Sequence, residues 1–129
     1  MKIILEKKES EELFHGALCS IQLGHYGVSL DYNDKDGDAV REQWKKDTPD
    51  NTICREDVWM GILKNGGKLK FIDEEGDGAY TKEITIKDVH EKVQKTPINH
   101  LVDAIEERGD AISDDCILQT VIWDDIIFG

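Results

Sequence analysis

Gly66-Gly67-Lys68-Leu69-Lys70-Phe71-Ile72-Asp73, followed after an acidic turn by Tyr80-Thr81-Lys82-Glu83-Ile84-Thr85-Ile86-Lys87, is the stretch that decides the fold. Leu69 and Phe71 alternate with Lys68 and Lys70, and Tyr80, Lys82, Ile84 and Ile86 share one parity. Period-two alternation places successive side chains on opposite faces of a strand. Asp73-Glu74-Glu75-Gly76-Asp77-Gly78 between the two runs is turn chemistry, so the reading is a β-hairpin over about 67–73 and 79–86. From Lys87 onward the apolar period becomes helical. Val89 and Val93 are four apart, and Ile98, Leu101, Val102 and Ile105 form a stripe after Thr96-Pro97. Ile117, Leu118, Val121 and Ile122 form another after Ser113-Asp114-Asp115. The hairpin should lie under these three helices, with the last four residues buried.

Working outward, Val58, Trp59, Ile62 and Leu63 mark a helix that begins at Thr52 or Asp57 and stops at Gly66-Gly67. Leu13, Phe14, Ala17, Leu18 and Ile21 mark another that starts at Ser10 and runs to about Gly24, after a short strand at residues 2–6. Residues 24–38, rich in Gly and Asp, read as a loop, with a short strand in the alternation of Tyr26, Val28 and Leu30. A brief helix over Ala39–Lys46 carries Trp44. The expectation is one α+β domain over residues 1–129, a hairpin or small antiparallel sheet packed against several helices.

Charge then narrows the function. Residues 73–129 hold 15 Asp and Glu against 5 Lys and Arg, whereas residues 1–72 hold 13 against 11. The formal net charge of −12 therefore sits mostly in the half with the clearest helical stripes. Such a segment folds with one apolar face and presents carboxylates on the other, unlike a disordered acidic tail. So negative a chain is not expected to bind nucleic acid directly or an anionic membrane, since phosphate recognition needs Lys and Arg. Cys19, Cys54 and Cys116 are odd in number and widely spaced, which reads as free thiols in a reducing, cytoplasmic setting. No apolar run is long enough to span a bilayer, and the early charge in Met1-Lys2-Ile3-Ile4-Leu5-Glu6 does not suit a signal peptide.

Motifs with chemistry are few. Asp73-x-Glu75-x-Asp77-Gly78 follows the start of a calcium-binding loop, but Ile84 stands where the bidentate Glu belongs. Asp34-x-Asp36-Gly37 has Tyr32 and Gln43 at its two key positions, so neither loop is expected to hold calcium. His15 and Cys19 are four apart on a helix, two ligands where zinc needs three or four. No Gly-rich phosphate loop or nucleophile motif occurs, so no metal, cofactor or catalytic residue is assigned and the chain is read as non-enzymatic. Of the tryptophans, Trp59 should be core, Trp123 a core plug or interface anchor, and Trp44 partly exposed.

The stretch from Gly66 to Asp88 and the ending Asp114-Asp115-Cys116-Ile117-Leu118-Gln119-Thr120-Val121-Ile122-Trp123-Asp124-Asp125-Ile126-Ile127-Phe128-Gly129 resemble small acidic proteins of phages and mobile elements of gut bacteria. Residues 1–55 carry no such resemblance. It implies a mobile-element setting, in which small acidic proteins act against host defence. The expected function is an acidic inhibitor or adaptor that binds the basic surface of a nucleic-acid-handling protein, of the anti-CRISPR or anti-restriction type. An immunity protein for a nuclease toxin and a structural or assembly protein of the element are the alternatives. The expected partner-binding residues are Asp103, Glu106, Glu107, Asp114, Asp115, Asp124 and Asp125.

Overall fold

A helix that caps itself opens the fold. In the computed structural model, which describes residues 3–20 and 23–128, α1 runs over Lys7–Cys19. Glu6 and Glu9 form a reciprocal capping box, with the Glu6 N–H donating to Glu9 Oε1 at 2.9 Å. That box starts the helix three residues before Ser10, the expected cap, and Ser10 instead points inward with Phe14, Ala17 and Leu18. Residues 3–6 form no strand; the Leu5 N–H bonds the side chain of Gln94 rather than a neighbouring strand. Lys2 of the expected strand, and Ile21 of the expected stripe, lie outside the described residues.

After a 3-10 turn at Leu23–Tyr26, β1 (Val28–Asp31) appears where the alternation placed it. The loop expected through residue 38 is shorter, because α2 spans Asp34–Asp47. Asn33 caps it by accepting from the Lys35 and Asp36 N–H groups, and Asp34 and Asp36 sit in the electropositive first turn. Gly37, a loop signal in sequence, lies inside this helix, where a Cβ would come within 2.6 Å of the Tyr32 ring, so glycine is what that packing admits. α3 (Arg55–Lys64) buries Val58, Trp59, Met60, Ile62 and Leu63. It ends as predicted, with Gly66 at φ 90° and the Gly67 N–H returning to the Ile62 carbonyl at 2.8 Å.

The hairpin follows as β2 (Leu69–Asp73) and β3 (Lys82–Ile84), and β1 adds to the other edge of β2. Both pairings are antiparallel, with Leu69 opposite Ile84 and Phe71 opposite both Leu30 and Lys82. β3 is shorter than expected, because Thr85 and Asp88 form a capping box that turns the chain into α4 (Ile86–Lys92). The acidic turn is organised by Asp73, which is buried and accepts from the Gly76 and Tyr80 N–H groups at 2.9 and 3.2 Å. Its carboxylate thus acts as a turn anchor.

A 3-10 turn (Val93–Lys95) leads to α5 (Ile98–Ile105), and α6 (Ala111–Trp123) closes the fold. The expected caps shift here too. Thr96 Oγ1 donates back to the Val93 carbonyl, and Pro97 is the capping position. Asp110, not Ser113, caps α6, accepting from the Ile112 and Ser113 N–H groups at 3.0 Å each. Ile117, Leu118, Val121 and Ile122 are fully buried, against Phe14 and Leu18 of α1 and against Leu69, Phe71 and Ile84 of the sheet in a single core. The architecture is α+β, a three-stranded antiparallel sheet covered by helices.

Beyond α6 the chain folds back on it. Gln119, fully buried, accepts from the Ile127 and Phe128 N–H groups and donates to the Phe128 carbonyl and to Asp115. Phe128 stacks on Tyr26 at 4.9 Å and meets Tyr80 and Trp123 edge-on. Trp123 is half-buried and donates its indole N–H to the Tyr80 carbonyl, so it plugs this cluster. Trp59 is core, and Trp44 is half-buried with its indole N–H on the Asn51 carbonyl.

Candidate interaction surface

α1 and α5 both pack on α6 and make little contact with each other, which leaves a cleft between them. The turn joining α5 to α6 shapes one end. Glu107 adopts a left-handed conformation (φ 60°), and the Arg108 N–H bonds the Asp103 carbonyl at 2.7 Å. A Cβ on Gly109 would lie 3.2 Å from Ala104 Cα, so glycine lets the turn settle on the end of α5. The Asp110 carboxylate is held below the usual range by the Ser113 N–H, a helix N-terminal donor.

The cleft is a groove of about 450 Å³. Leu5, Leu13, Ala104 and Ile105 supply its apolar lining. Glu9 and Glu12 line the α1 side, and Glu107 and Asp114 line the other. Among the described residues, no Lys, Arg or His lines it. Burial raises the Asp114 carboxyl above its ordinary value; the Ser20 hydroxyl opposes the rise and the Asp110 charge adds to it.

The seven carboxylates expected at a partner surface are thereby divided. Glu107 and Asp114 line the groove. Asp103 and Glu106 gather around Arg108, which pairs with both. Asp115 faces inward: its Oδ2 accepts from the Tyr26 hydroxyl and from Gln119, and its Oδ1 is buried with no partner among the described residues. Burial, then the Asp115 charge, raises the Tyr26 hydroxyl pKa. Asp124 and Asp125 lie at the far end of α6, about 15 Å from Asp114 at 1.5 Å per residue. Asp124 takes the left-handed C-terminal position and sits 3.8 Å from Lys95 Nζ. One continuous array on the last three helices is therefore not what the fold presents.

The sequence reading places neither Glu9 nor Glu12 at the partner surface. Their i, i+3 spacing on an exposed helix face was the available signal. Opposite α1, a second groove of about 550 Å³ lies where α1 and α2 flank α3. There His15 Nε2 meets Asp57 at 2.9 Å, and Glu11 holds His90 at 2.8 Å and Lys64 at 3.8 Å. Trp44 forms one wall. Its lining carries charges of both signs, and His15–Asp57 and Lys64–Glu11 pair within it. Cys19, one turn beyond His15, is held up at about 11 by partial burial and by Glu56, the reverse of the lowered pKa that makes a thiolate nucleophile.

Among the described residues, no three His, Cys, Asp or Glu side chains converge as a metal site would require. No helix there is long and apolar enough to cross a membrane. Compared with protein-family models, curated proteins and solved structures, the chain finds no match.

Proposed function

We propose that this protein is a non-enzymatic acidic inhibitor or adaptor that occupies a basic surface of a nucleic-acid-handling protein. The observation that carries the reading is the groove between α1 and α5, in which four carboxylates flank an apolar lining with no cation among the described lining residues. A surface evolved to hold phosphates offers Lys and Arg, and clustered carboxylates compete for the same groups. The net charge of −12 adds long-range attraction toward such a surface and repels nucleic acid itself. The resemblance of the C-terminal half to mobile-element proteins supports an anti-defence role, directed at a CRISPR effector or a restriction enzyme.

The test is capture from a bacterial extract with the protein as bait, followed by elution with double-stranded DNA. A nucleic-acid-handling protein should be retained at low salt and released by DNA. Retention should also weaken steeply with salt, because exposed charges are screened beyond about 8–10 Å near physiological ionic strength. Capture of a partner that neither DNA nor salt displaces would count against the proposal.

A further inference from the structure

We infer that the groove between α1 and α5 is built to receive a basic amphipathic helix of the partner, its apolar stripe on Leu5, Leu13 and Ile105 and its flanking Lys or Arg residues on the carboxylates of the two walls. The inference rests on the proposed function and specifies the partner element. Three features of the groove lead to it.

The first is shape. α1 and α5 both rest on α6 without packing closely on each other, so the cleft lies between two helices over a third. An amphipathic helix docks in such clefts with its apolar stripe inward. At Gly16, on the α1 wall, an added Cβ would meet nothing within 4 Å, so that wall is open.

The second is unburied apolar surface. Ile105, on the groove lining, is 43% exposed, and the lining residues Leu5 and Leu13 are only partly buried. Ile98, two turns before Ile105 on the same face of α5, is 42% exposed and extends that apolar surface along the helix. Exposed apolar surface rimmed by polar residues marks an interaction site.

The third is charge, which selects the occupant. With carboxylates on both walls and no cation among the described lining residues, a second copy of this acidic chain, an anionic lipid surface and a nucleic acid are all repelled. Lys and Arg suit the walls, because their aliphatic stems cover apolar surface while their charged ends reach the carboxylates. Glu9 and Glu12 are one turn apart, a rise of about 4.5 Å, which matches basic residues at i and i+3 or i+4 of a helix. Asp114 lies on the groove wall where partial burial disfavours its charge, and a cation placed beside it offsets that cost.

The experiment uses a fluorescent peptide of about 18 residues, five helical turns, made of leucine and lysine with leucine at i, i+3, i+4 and i+7. The control has the same composition rearranged to alternate with period two. Anisotropy titrations should show the helical peptide binding at least about tenfold more tightly than the rearranged one, a difference of about 1.4 kcal/mol. Gly16→Trp, which plugs the groove from an open position, should weaken it at least tenfold, while Gly16→Ala should not. Asp124→Lys with Asp125→Lys, at the far end of α6, should leave tight binding in place. Circular dichroism shows that each variant is folded, and Ile105→Ser repeats the test if Gly16→Trp is not. Equal affinity for the two peptides, or unchanged affinity in a folded plugged variant, overturns the inference. A natural partner captured as well by Gly16→Trp as by the parent leaves the proposed function standing and removes the groove. Peptide binding in the groove with no nucleic-acid-handling partner does the reverse.

Discussion

Gln119 is one fully buried side chain that holds two parts of the molecule together, and replacing it tests that role. Its Oε1 accepts from the Ile127 and Phe128 N–H groups at 2.9 and 2.8 Å, and its Nε2 donates to Asp115 at 2.9 Å and to the Phe128 carbonyl at 3.2 Å. Gln119→Ala removes all four bonds. At about 1 kcal/mol net per bond the ceiling is about 4 kcal/mol. The tail groups regain water if the tail lifts away, which lowers the figure. Asp115 stays partly buried, and a charged acceptor that loses its donor costs about 1.5–3 kcal/mol. The expected loss is therefore about 2–4 kcal/mol, a large share of a typical domain stability of about 5–15 kcal/mol. Urea denaturation measures it, and Phe128→Ala closes a double-mutant cycle. Because both changes release the same tail, their costs should fall short of adding. Gln119→Glu refines the point: two carboxylates would then face each other, so the glutamate pKa rises in the fold. Stability should be lost as pH rises toward neutrality and recovered in acid. A loss below about 1 kcal/mol in Gln119→Ala, or costs that add fully with Phe128→Ala, would refute the reasoning.

Leu118→Ala, at a fully buried position of α6, should cost about 2–5 kcal/mol in the same denaturation experiment. Asp114 has a raised pKa in the fold, so its proton is bound more tightly there than in the unfolded chain. Its charge therefore lowers stability above the folded pKa, and this effect vanishes below the unfolded value, near 3.8. Asp114→Asn should accordingly stabilise the protein at neutral pH and become neutral in strong acid, as thermal melts at several pH values would show. Cys19, pushed up to about 11 from an ordinary 9.0, should be alkylated by iodoacetamide at pH 8 more slowly than a free cysteine, with the rate climbing beyond pH 10; mass spectrometry of the Cys19 peptide follows it.

How much of this was legible in the sequence depended on the range of the interaction concerned. The hairpin was legible because Leu69, Phe71 and Ile84 alternate toward one face, and the core helix because Ile117, Leu118, Val121 and Ile122 repeat at helical spacing. Helix starts were misplaced where a hydroxyl looked like the cap and a carboxylate did the capping. Glu6 and Asp110 took the positions expected of Ser10 and Ser113, and both serines went into the core. α2 was shortened because its composition is that of a loop. The Asn33 cap starts the helix before Asp34, and Gly37 is there because the Tyr32 ring lies against it. The candidate groove was half legible. Glu107 and Asp114 stand out as acids bordering helical stripes, but Glu9 and Glu12 join them only through the packing of α1 on α6. Contacts between residues about a hundred positions apart leave no trace in local periodicity. The inward turn of Asp115 was hidden for a similar reason, since its partners include Tyr26, far away in the chain.

The account stands or falls on where the partner sits, and zero-length carbodiimide cross-linking of the captured complex reads that directly. The reagent joins a carboxylate to a lysine amine only where the two are already in contact. Mass spectrometry should find partner lysines joined to Glu9, Glu107 or Asp114, which line this groove and not the one beside His15. Partner cross-links confined to Asp124, Asp125 or the carboxylates of the groove beside His15, with those three untouched, would contradict it.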